Sequence, residues 1–400
     1  MKKRVLLAFS GGLDTSYCVC YLSKIKQLEV HSVIVNTGGF TSDELSAIEK
    51  RAQLLGVKEH HTLEVTEQYY TNCIRFLVYG NILRNNTYPL SVSAERIFQA
   101  TAIAEKARDM GVDFVAHGST GAGNDQIRFD MIFNILIPEI EILTPIRDQK
   151  ISREEEIIFL RDQGVDLEWD RMIYSINKGL WGTSVGGKET LTSHAALPDQ
   201  AYPTEITKKD TTELSIEFKG GQIIGFNGKK YKDPVQAIIA LNELAAPFGV
   251  GRDIHVGDTI IGIKGRVGFE APAPILIIKA HQTLEKHVLT KWQIYWKDQL
   301  ATWYGMHLHE GHFWDPTMRD IEKFLESTQM NVNGTVYLKL QERHFEITGI
   351  DSPHDLMSEK FGSYGEMNLA WDGNDTRGFA KIMANQTRIY RSVNKGSDHD

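Results

Sequence analysis

Short apolar runs alternate with longer amphipathic segments between residues 4 and 163. Such runs are typical of buried parallel strands, and the longer segments have the periodicity of helices. The predicted strands are Arg4–Leu7, Glu29–Val35, His61–Val65, Asp113–His117 and Ile140–Leu143. The predicted helices are Tyr17–Leu28, Asp43–Leu55, Glu67–Tyr79, Ala94–Met110 and one that runs from a capping box at Ser152 to Gln163. This alternation predicts an α/β domain with a doubly wound, mostly parallel sheet.

The pattern changes after about Trp169. Leu180–Asp210 lacks periodicity and is predicted to be a long loop, and Val267–Pro274 a shorter one. Hairpins are predicted over Glu213–Phe226 and Thr335–Ile347, and helices over Val235–Ala246, Ile275–His309 and, at the end, Thr376–Val393. The second half is therefore predicted to be α+β. The predicted domains are residues 1–168, 169–370 and 371–400.

Composition narrows the class of protein. A chain of 400 residues fits about two domains of ordinary size. Its formal net charge of −8 argues against a nucleic-acid partner. We find no apolar run that could span a bilayer and no signal peptide, and three cysteines do not make a disulfide framework. We therefore expect a cytoplasmic protein without a membrane partner.

The segment Ala8–Ser16, with the sequence AFSGGLDTS, lies between the first predicted strand and the first predicted helix. Unpaired N–H groups at a helix N-terminus bind anions, and adjacent glycines let phosphate approach the backbone. The segment lacks the lysine of a P-loop and does not fit the G-x-G-x-x-G pattern. It is similar to the signature of the PP-loop enzymes, which cleave ATP between its α and β phosphates. The alternative is an ordinary glycine turn before a helix.

A second glycine-rich loop, His117–Phe129, follows a later strand. It contains three glycines and brings Thr120, Asn124, Asp125 and Arg128 close together in sequence. A simple helix cap at Asn124 is the alternative, but a cap does not need the glycines or the arginine. Ligands bind at the carboxyl ends of the strands in such sheets, so both loops are expected at one site.

With these two loops, the chain resembles the argininosuccinate synthase family over nearly its whole length. The resemblance implies a PP-loop nucleotide-binding domain, an α+β synthetase domain and a C-terminal helix that joins subunits, here in a tetramer. It implies that ATP converts the ureido oxygen of citrulline to an adenylate, from which the amino group of aspartate displaces AMP. Related motif residues follow at Tyr174–Ser184 and Gly262–Arg266.

The resemblance also implies the site residues. ATP is expected to contact Ala8, Phe9, Ser10, Gly11, Gly12, Leu13, Asp14, Thr15, Ser16, Val35 and Gly118. Aspartate is expected at Thr120, Asn124 and Asp125. Citrulline is expected at Tyr88, Ser93, Asn124, Arg128, Ser175 and Ser184. We predict that Ser10, Asp14 and Asp125 serve catalysis.

An adenylate supplies a leaving group, so the chemistry needs no enzyme nucleophile and depends on positioning and charge stabilisation. Mg²⁺ is expected to arrive on the phosphates of ATP, with Asp14 and Asp125 as candidate outer ligands. We expect no metal held by the protein alone. His307, His309 and His312 lack the spacing of a zinc motif and are predicted to be polar residues at a helix end.

Four positions depart from the family pattern. Gly186 and Gly257 stand where the family has glutamates, Phe269 where it has a tyrosine, and Ala122 where it has a lysine. The first three lie on the side that receives the α-carbon end of citrulline. One explanation is neutral drift, or replacement by a neighbouring acid such as Asp258, Glu189 or Glu270. An N-acylated citrulline, acetyl or succinyl, is the other, because an amide nitrogen needs no counter-charge.

Two other functions stay open at this stage. A tRNA-modifying PP-loop enzyme would need a basic surface and catalytic cysteines, and this chain is acidic. The other is a ligand-sensing protein that has the same fold but no catalytic activity. Such a protein would not need both glycine-rich loops to be intact.

Overall fold

A computed structural model describes residues 2–165, 174–357, 362, 364–366 and 370–394. The chain divides into two compact units, Met1–Pro353 and His354–Asp400. The predicted boundary between residues 168 and 169 lies outside the described residues, and the division into three domains stays a prediction.

The first half builds a five-stranded parallel sheet in the order β3-β2-β1-β4-β5. Its strands are β1 Arg4–Ala8, β2 Glu29–Asn36, β3 Glu59–Glu64, β4 Phe114–Ala116 and β5 Glu141–Leu143. The helices between them are α1 Leu13–Cys20, α2 Ser42–Leu54, α3 Thr66–Tyr69, α4 Arg75–Tyr79, α5 Ser91–Met110, α6 Asp125–Leu136, α7 Pro145–Gln149 and α8 Arg153–Asp162. The doubly wound α/β prediction is confirmed.

Side-chain capping explains where several of these helices begin. The hydroxyl of Thr41 accepts from the backbone of Glu44, and Ser152 and Glu155 form the same capping box at α8. Two helical segments are wider than an α-helix, because π-helical turns over Tyr21–Ile25 and Tyr70–Ile74 extend α1 and join α3 to α4.

Two antiparallel sheets follow. One has the order β10-β9-β8-β13-β14 and the other β11-β12-β7-β6. Their strands are β6 Ser175–Gly179, β7 Gly182–Gly186, β8 Thr212–Lys219, β9 Gln222–Phe226, β10 Lys229–Lys230, β11 Arg252–Asp258, β12 Lys264–Glu270, β13 Gly334–Gln341 and β14 His344–Asp351. Both predicted hairpins are confirmed.

The sequence prediction missed the smaller sheet. Leu180–Asp210 was expected to be a loop, yet β7 lies within it and pairs with β6 and β12. Part of the predicted loop Val267–Pro274 is also strand, because Val267–Glu270 belongs to β12. These strands are rich in glycine and polar residues, so they lack the apolar alternation by which strands are recognised.

Four helices accompany the larger antiparallel sheet: α9 Pro234–Ala245, α10 Pro272–Val288, α11 Lys291–Glu310 and α12 Pro316–Ser327. The first two pack on the sheet, whereas α11 packs on α5 and α12 packs on α4. The predicted single helix Ile275–His309 is two helices, because Leu289 adopts an extended backbone and Thr290 caps α11. One hydrophobic cluster runs from α4 and α5 through α10 and α11 to this sheet. The nucleotide-binding half and the antiparallel half therefore share one core.

The second unit contains α13 Gly373–Met383 and α14 Asn385–Val393. The predicted terminal helix is thus two helices that meet at Ala384. Their apolar side chains Phe379, Ile382, Met383 and Ile389 are exposed. No helix in the described part of the chain is both long enough and apolar enough to cross a bilayer.

Candidate active site

A cavity of about 1030 Å³ opens at the carboxyl ends of β1, β2 and β4, where ligands bind on sheets of this kind. Its opposite wall comes from the small sheet β11-β12-β7-β6. All the predicted ligand-contacting residues except Ser16 line it: Ala8 to Thr15, Val35, Tyr88, Ser93, Gly118, Thr120, Asn124, Asp125, Arg128, Ser175 and Ser184. The structure therefore brings together residues that lie far apart in the sequence.

The first glycine loop turns at Gly11, which has a φ of 76° that favours glycine. Gly12 precedes α1, so the first free N–H groups of that helix face the cavity. Ser10 and Thr15 present hydroxyls 3.4 Å apart at its mouth. The hydroxyl of Ser16 is fully buried and donates to the carbonyl of Gly12 at 2.7 Å, which stabilises the loop, and its contact with ATP stays a prediction.

Asp14 on this loop faces Glu156 of α8, which the sequence analysis did not identify. Burial and the neighbouring Asp14 raise the pKa of Glu156 to about 8, and burial also raises the pKa of Asp14. The two carboxyl groups face each other beside Arg153, which lines the cavity. Below about pH 8 this pair therefore holds a proton, and an approaching cation would favour its release.

The second glycine loop packs directly on the first. A Cβ atom at Gly118 would lie 3.3 Å from Thr15 Cγ2 and 3.4 Å from the backbone of Asp14. The side-chain amide of Gln126 donates to the carbonyls of Gly121 and Gly123, at 2.7 and 3.1 Å. These hydrogen bonds stabilise the compact conformation of the loop. The two loops thus form one continuous backbone surface.

His117 anchors the base of the second loop. Its Nδ1 accepts from the backbone of Ser119 at 3.2 Å, and its Nε2 lies 2.9 Å from Asp130. Burial alone would raise the pKa of Asp130, but hydrogen bonds from His117 and Arg147 outweigh it and lower that pKa. His117 therefore serves as a loop support.

Asp125 lies between two guanidinium groups. Arg96 donates to one carboxylate oxygen at 3.0 Å and Arg128 to the other at 2.8 Å. Burial opposes ionisation, but the two arginines prevail and lower the pKa of Asp125. Both of its oxygens are engaged, so it fits the role of an arginine-positioning acid better than that of a Mg²⁺ ligand.

Arg128 continues this network into the deep end of the cavity. It donates to the carbonyl of His309 at 2.9 Å and to the hydroxyl of Ser93 at 3.2 Å. The side chain of His309 belongs to the site, although the sequence analysis assigned it only to a helix end. Burial and Arg128 lower the pKa of His309 to about 2, so its ring is neutral.

Glu95 is a second acid that the sequence analysis missed. Its side chain lines the cavity, and burial raises its pKa. Thr37 and Gln99 both donate to its Oε1, at 2.6 and 2.9 Å. No signal in the sequence singles it out, because Ser91 and Gln99, one helical turn away on either side, are polar as well.

The positions that depart from the family pattern differ in how close they lie to the cavity. Gly257 lines it, and a Cβ atom there would lie 2.5 Å from His255 Nε2. Phe269 is buried and packs against Tyr88 with ring centroids 5.5 Å apart. Gly186 pairs with Ser175 across β6 and β7.

Of the expected replacement acids, two are already paired. Glu270 accepts from Arg252 at 2.8 Å, and Asp258 lies 2.6 Å from Lys264. His255 stacks on Tyr88, and burial together with Arg84 lowers its pKa to about 4. The third acid, Glu189, does not line the cavity, and its buried Oε2 has no hydrogen-bond partner.

The parallel sheet and its two glycine loops define a nucleotide-binding protein with a HUP domain. Residues 4–166 match the family described as the arginosuccinate synthase N-terminal HUP domain, and residues 174–390 match the arginosuccinate synthase C-terminal domain. The chain belongs to the argininosuccinate synthase family.

Relatives named argininosuccinate synthase cover nearly all of the chain. The protein from Methanocaldococcus jannaschii is 34% identical over 398 residues, which is 99% of this chain and 100% of that one. The protein from Xylella fastidiosa is 36% identical over 405 residues, 98% of each chain. The protein from Dictyoglomus thermophilum is 33% identical over 402 residues and covers both chains fully.

Proposed function

We propose that this protein joins citrulline and aspartate at the expense of ATP, giving argininosuccinate, AMP and pyrophosphate. The observation that carries the proposal is one cavity that holds both glycine loops and the Arg96–Asp125–Arg128 network. Family membership supports the same reaction.

The first step is attack by the ureido oxygen of citrulline on the α-phosphorus of ATP. The bond to pyrophosphate breaks and a citrullyl-adenylate forms. Free N–H groups at the start of α1, with the hydroxyls of Ser10 and Thr15, are placed to bind the phosphates. Arg51 and Arg153 line the cavity beside this loop and add positive charge.

In the second step the amino nitrogen of aspartate attacks the activated carbon, and AMP leaves with the former ureido oxygen. Thr120 and Asn124 on the second loop are the proposed aspartate contacts, with Asp125 holding Arg96 and Arg128 in place. No side chain forms a covalent intermediate. Alignment of the reactants can supply on the order of 7–11 kcal/mol.

Mg²⁺ is proposed to enter with the phosphates of ATP and to neutralise their charge. Asp14 fits as an outer ligand, because it lines the cavity on the phosphate loop and its partner Glu156 can release a proton to make room for a cation. Asp125 does not fit, since both of its oxygens accept from arginines.

N-acylcitrulline is a second candidate substrate. The observation that favours it is the cavity end around Gly257, where the lining residue Asp258 is paired with Lys264 and His255 is neutral. A buried ammonium group without a counter-charge is disfavoured, whereas an amide is not. Pyrophosphate release with citrulline, N-acetylcitrulline and N-succinylcitrulline, at saturating aspartate and ATP, decides between the candidates. A higher kcat/KM for free citrulline assigns the departures to drift.

We also propose a homo-oligomer, with the tetramer that the resemblance implies. The apolar side chains of α13 and α14 are exposed, and so are Trp292, Trp296 and Trp303 on α11, at 63, 57 and 55%. Exposed aromatic surface of this kind is typical of a subunit interface. The cytosol remains the predicted compartment.

A further inference from the structure

The amino ends of β2 and β3, opposite the end that carries the nucleotide loops, hold a cluster of histidines and glutamates. His31 pairs with Glu59 across the two strands, and His61 follows two residues later on β3. Alternate residues of a strand share a face, so His31, Glu59 and His61 lie on the same face of the sheet. Among the described residues, this is the one group of three whose ligand atoms all lie within 4.8 Å of one another.

The distances suit a metal ion. Glu59 Oε2 is 3.7 Å from His31 Nδ1 and 3.6 Å from His61 Nε2. Ligand atoms about 2.0–2.1 Å from a tetrahedral zinc ion are about 3.4 Å apart. The two distances to Glu59 therefore need to shorten by only a few tenths of an ångström, and the two ring nitrogens lie within 4.8 Å of each other. The two imidazole rings are nearly parallel, with an angle of 9° between their planes.

Two ring nitrogens of the cluster point to a missing ligand. His31 Nδ1 and His61 Nε2 are buried and accept or donate no hydrogen bond in the structure. The residue His31 is only 7% exposed, so water does not easily satisfy that atom. Unpaired buried polar atoms facing one carboxylate oxygen are explained by an ion bound between them.

Glu29 fixes the tautomer that metal binding requires. Its Oε1 lies 3.2 Å from His31 Nε2, so that nitrogen carries the proton and donates it. The lone pair of His31 is then on Nδ1, the atom that faces Glu59. A carboxylate behind a ligating histidine is the arrangement found around protein-bound zinc.

We propose that His31, Glu59 and His61 bind a divalent transition-metal ion such as Zn²⁺, with Glu29 as the positioning residue. Two imidazoles and one carboxylate favour zinc, cobalt or nickel over Mg²⁺. Glu59 is 59% exposed, which leaves a fourth position open to water. Lys106 is the neighbouring cation on α5, and the two glutamates offset its charge. The ion would tie the edge strand β3 to β2.

The test is calorimetric titration of the full-length, chelator-treated protein with Zn²⁺. We expect saturable binding of one ion per chain. Glu59→Gln and His61→Gln should each weaken binding at least tenfold, and Glu29→Gln should weaken it by 10-fold or more through loss of orientation. His194→Gln, on an exposed surface histidine, is the matched control and should bind as the unchanged protein does.

Two further readouts separate this site from others. Co²⁺ should give the visible absorption of a tetrahedral site, which His61→Gln abolishes and which Mg²⁺ does not displace. Zn²⁺ should raise the Tm of the unchanged protein but not that of Glu59→Gln, whose exposed position keeps the fold intact.

His307 and His312 have ring centroids 5.7 Å apart and are the rival pair. Loss of binding in His312→Gln but not in Glu59→Gln, or no saturable binding at all, overturns the proposal.

Discussion

Gly118 lies against Thr15 so closely that a methyl group at position 118 would sit 3.3 Å from Thr15 Cγ2. This contact joins the two glycine loops, which come from strands β1 and β4 that are neighbours in the sheet. The shape of the phosphate site therefore depends on a glycine in one loop that touches a threonine in the other.

Gly118→Val should separate the loops. Its side chain is larger than the gap, so the second loop must move away from Asp14 and Thr15. We expect the KM for ATP to rise at least tenfold while the far-UV circular dichroism is unchanged. Gly121→Ala is the control, because its Cβ would meet Arg147 at an ordinary 3.7 Å, and its KM should stay within about twofold. Equal KM values for both variants would contradict the contact.

Asp14→Ala should abolish pyrophosphate release and leave the fold intact. The side chain lines the cavity on the phosphate loop and pairs with Glu156. Removing it takes away the proposed outer ligand of the phosphate-bound cation. The exposed Asp109→Ala serves as the matched acid control and should retain full activity. Full activity of Asp14→Ala would exclude this loop from catalysis.

The raised pKa of Glu156 predicts that the stability of the protein falls as the pH rises. Its pKa is about 8 in the folded protein against an ordinary value of 4.5, so the folded state binds more protons than the unfolded state between those values. The free energy of unfolding should therefore fall as the pH rises from about 4.5 to about 8, by at most about 1.4 kcal/mol per pH unit for this group.

Urea unfolding of the unchanged protein and of Glu156→Gln, measured at several pH values, checks this. The neutral amide removes the titration, so the difference in stability between the two proteins should shift in favour of Glu156→Gln as the pH rises. A difference that is constant with pH would show that folding leaves the pKa of Glu156 unchanged.

Arg128→Lys should lower kcat/KM by at least about 100-fold. The guanidinium makes separate contacts to Asp125, Ser93 and His309, and an ammonium group cannot make all three. Arg319→Lys is the control, because Arg319 forms a salt bridge with Glu322 on the partly exposed face of α12. Steady-state kinetics with each substrate varied would locate the loss. Matching activity in the two lysine variants would contradict a role for the network.

Truncation before Asp372 should lower the oligomer mass in light scattering. The deleted helices α13 and α14 expose Phe379, Ile382, Met383 and Ile389 to solvent. Covering this many apolar side chains with another subunit would stabilise the assembled protein. The point variant Phe379→Asp should have the same effect. An unchanged mass in both would show that the helices do not join subunits.

The parallel sheet was predictable because its central strands β1 and β2 are largely apolar and its helices are periodic and capped, as at Ser152 and Glu155. The small antiparallel sheet was not, because β7 and β12 contain glycines and polar residues that face the cavity. The phosphate site was predictable as well, because each glycine loop is a continuous stretch of sequence. Glu156, Glu95 and His309 were missed because their roles depend on which groups the fold places beside them, and a single sequence does not contain that information.

The fate of the ureido oxygen tests the central claim most directly. If the protein forms a citrullyl-adenylate, that oxygen bonds to the α-phosphorus and stays there when aspartate displaces AMP. Incubation of citrulline labelled with ¹⁸O in its ureido group, together with ATP and aspartate, should yield AMP that contains one ¹⁸O atom, with pyrophosphate and argininosuccinate in equal amounts. Unlabelled AMP, or ADP and phosphate in its place, would contradict the account.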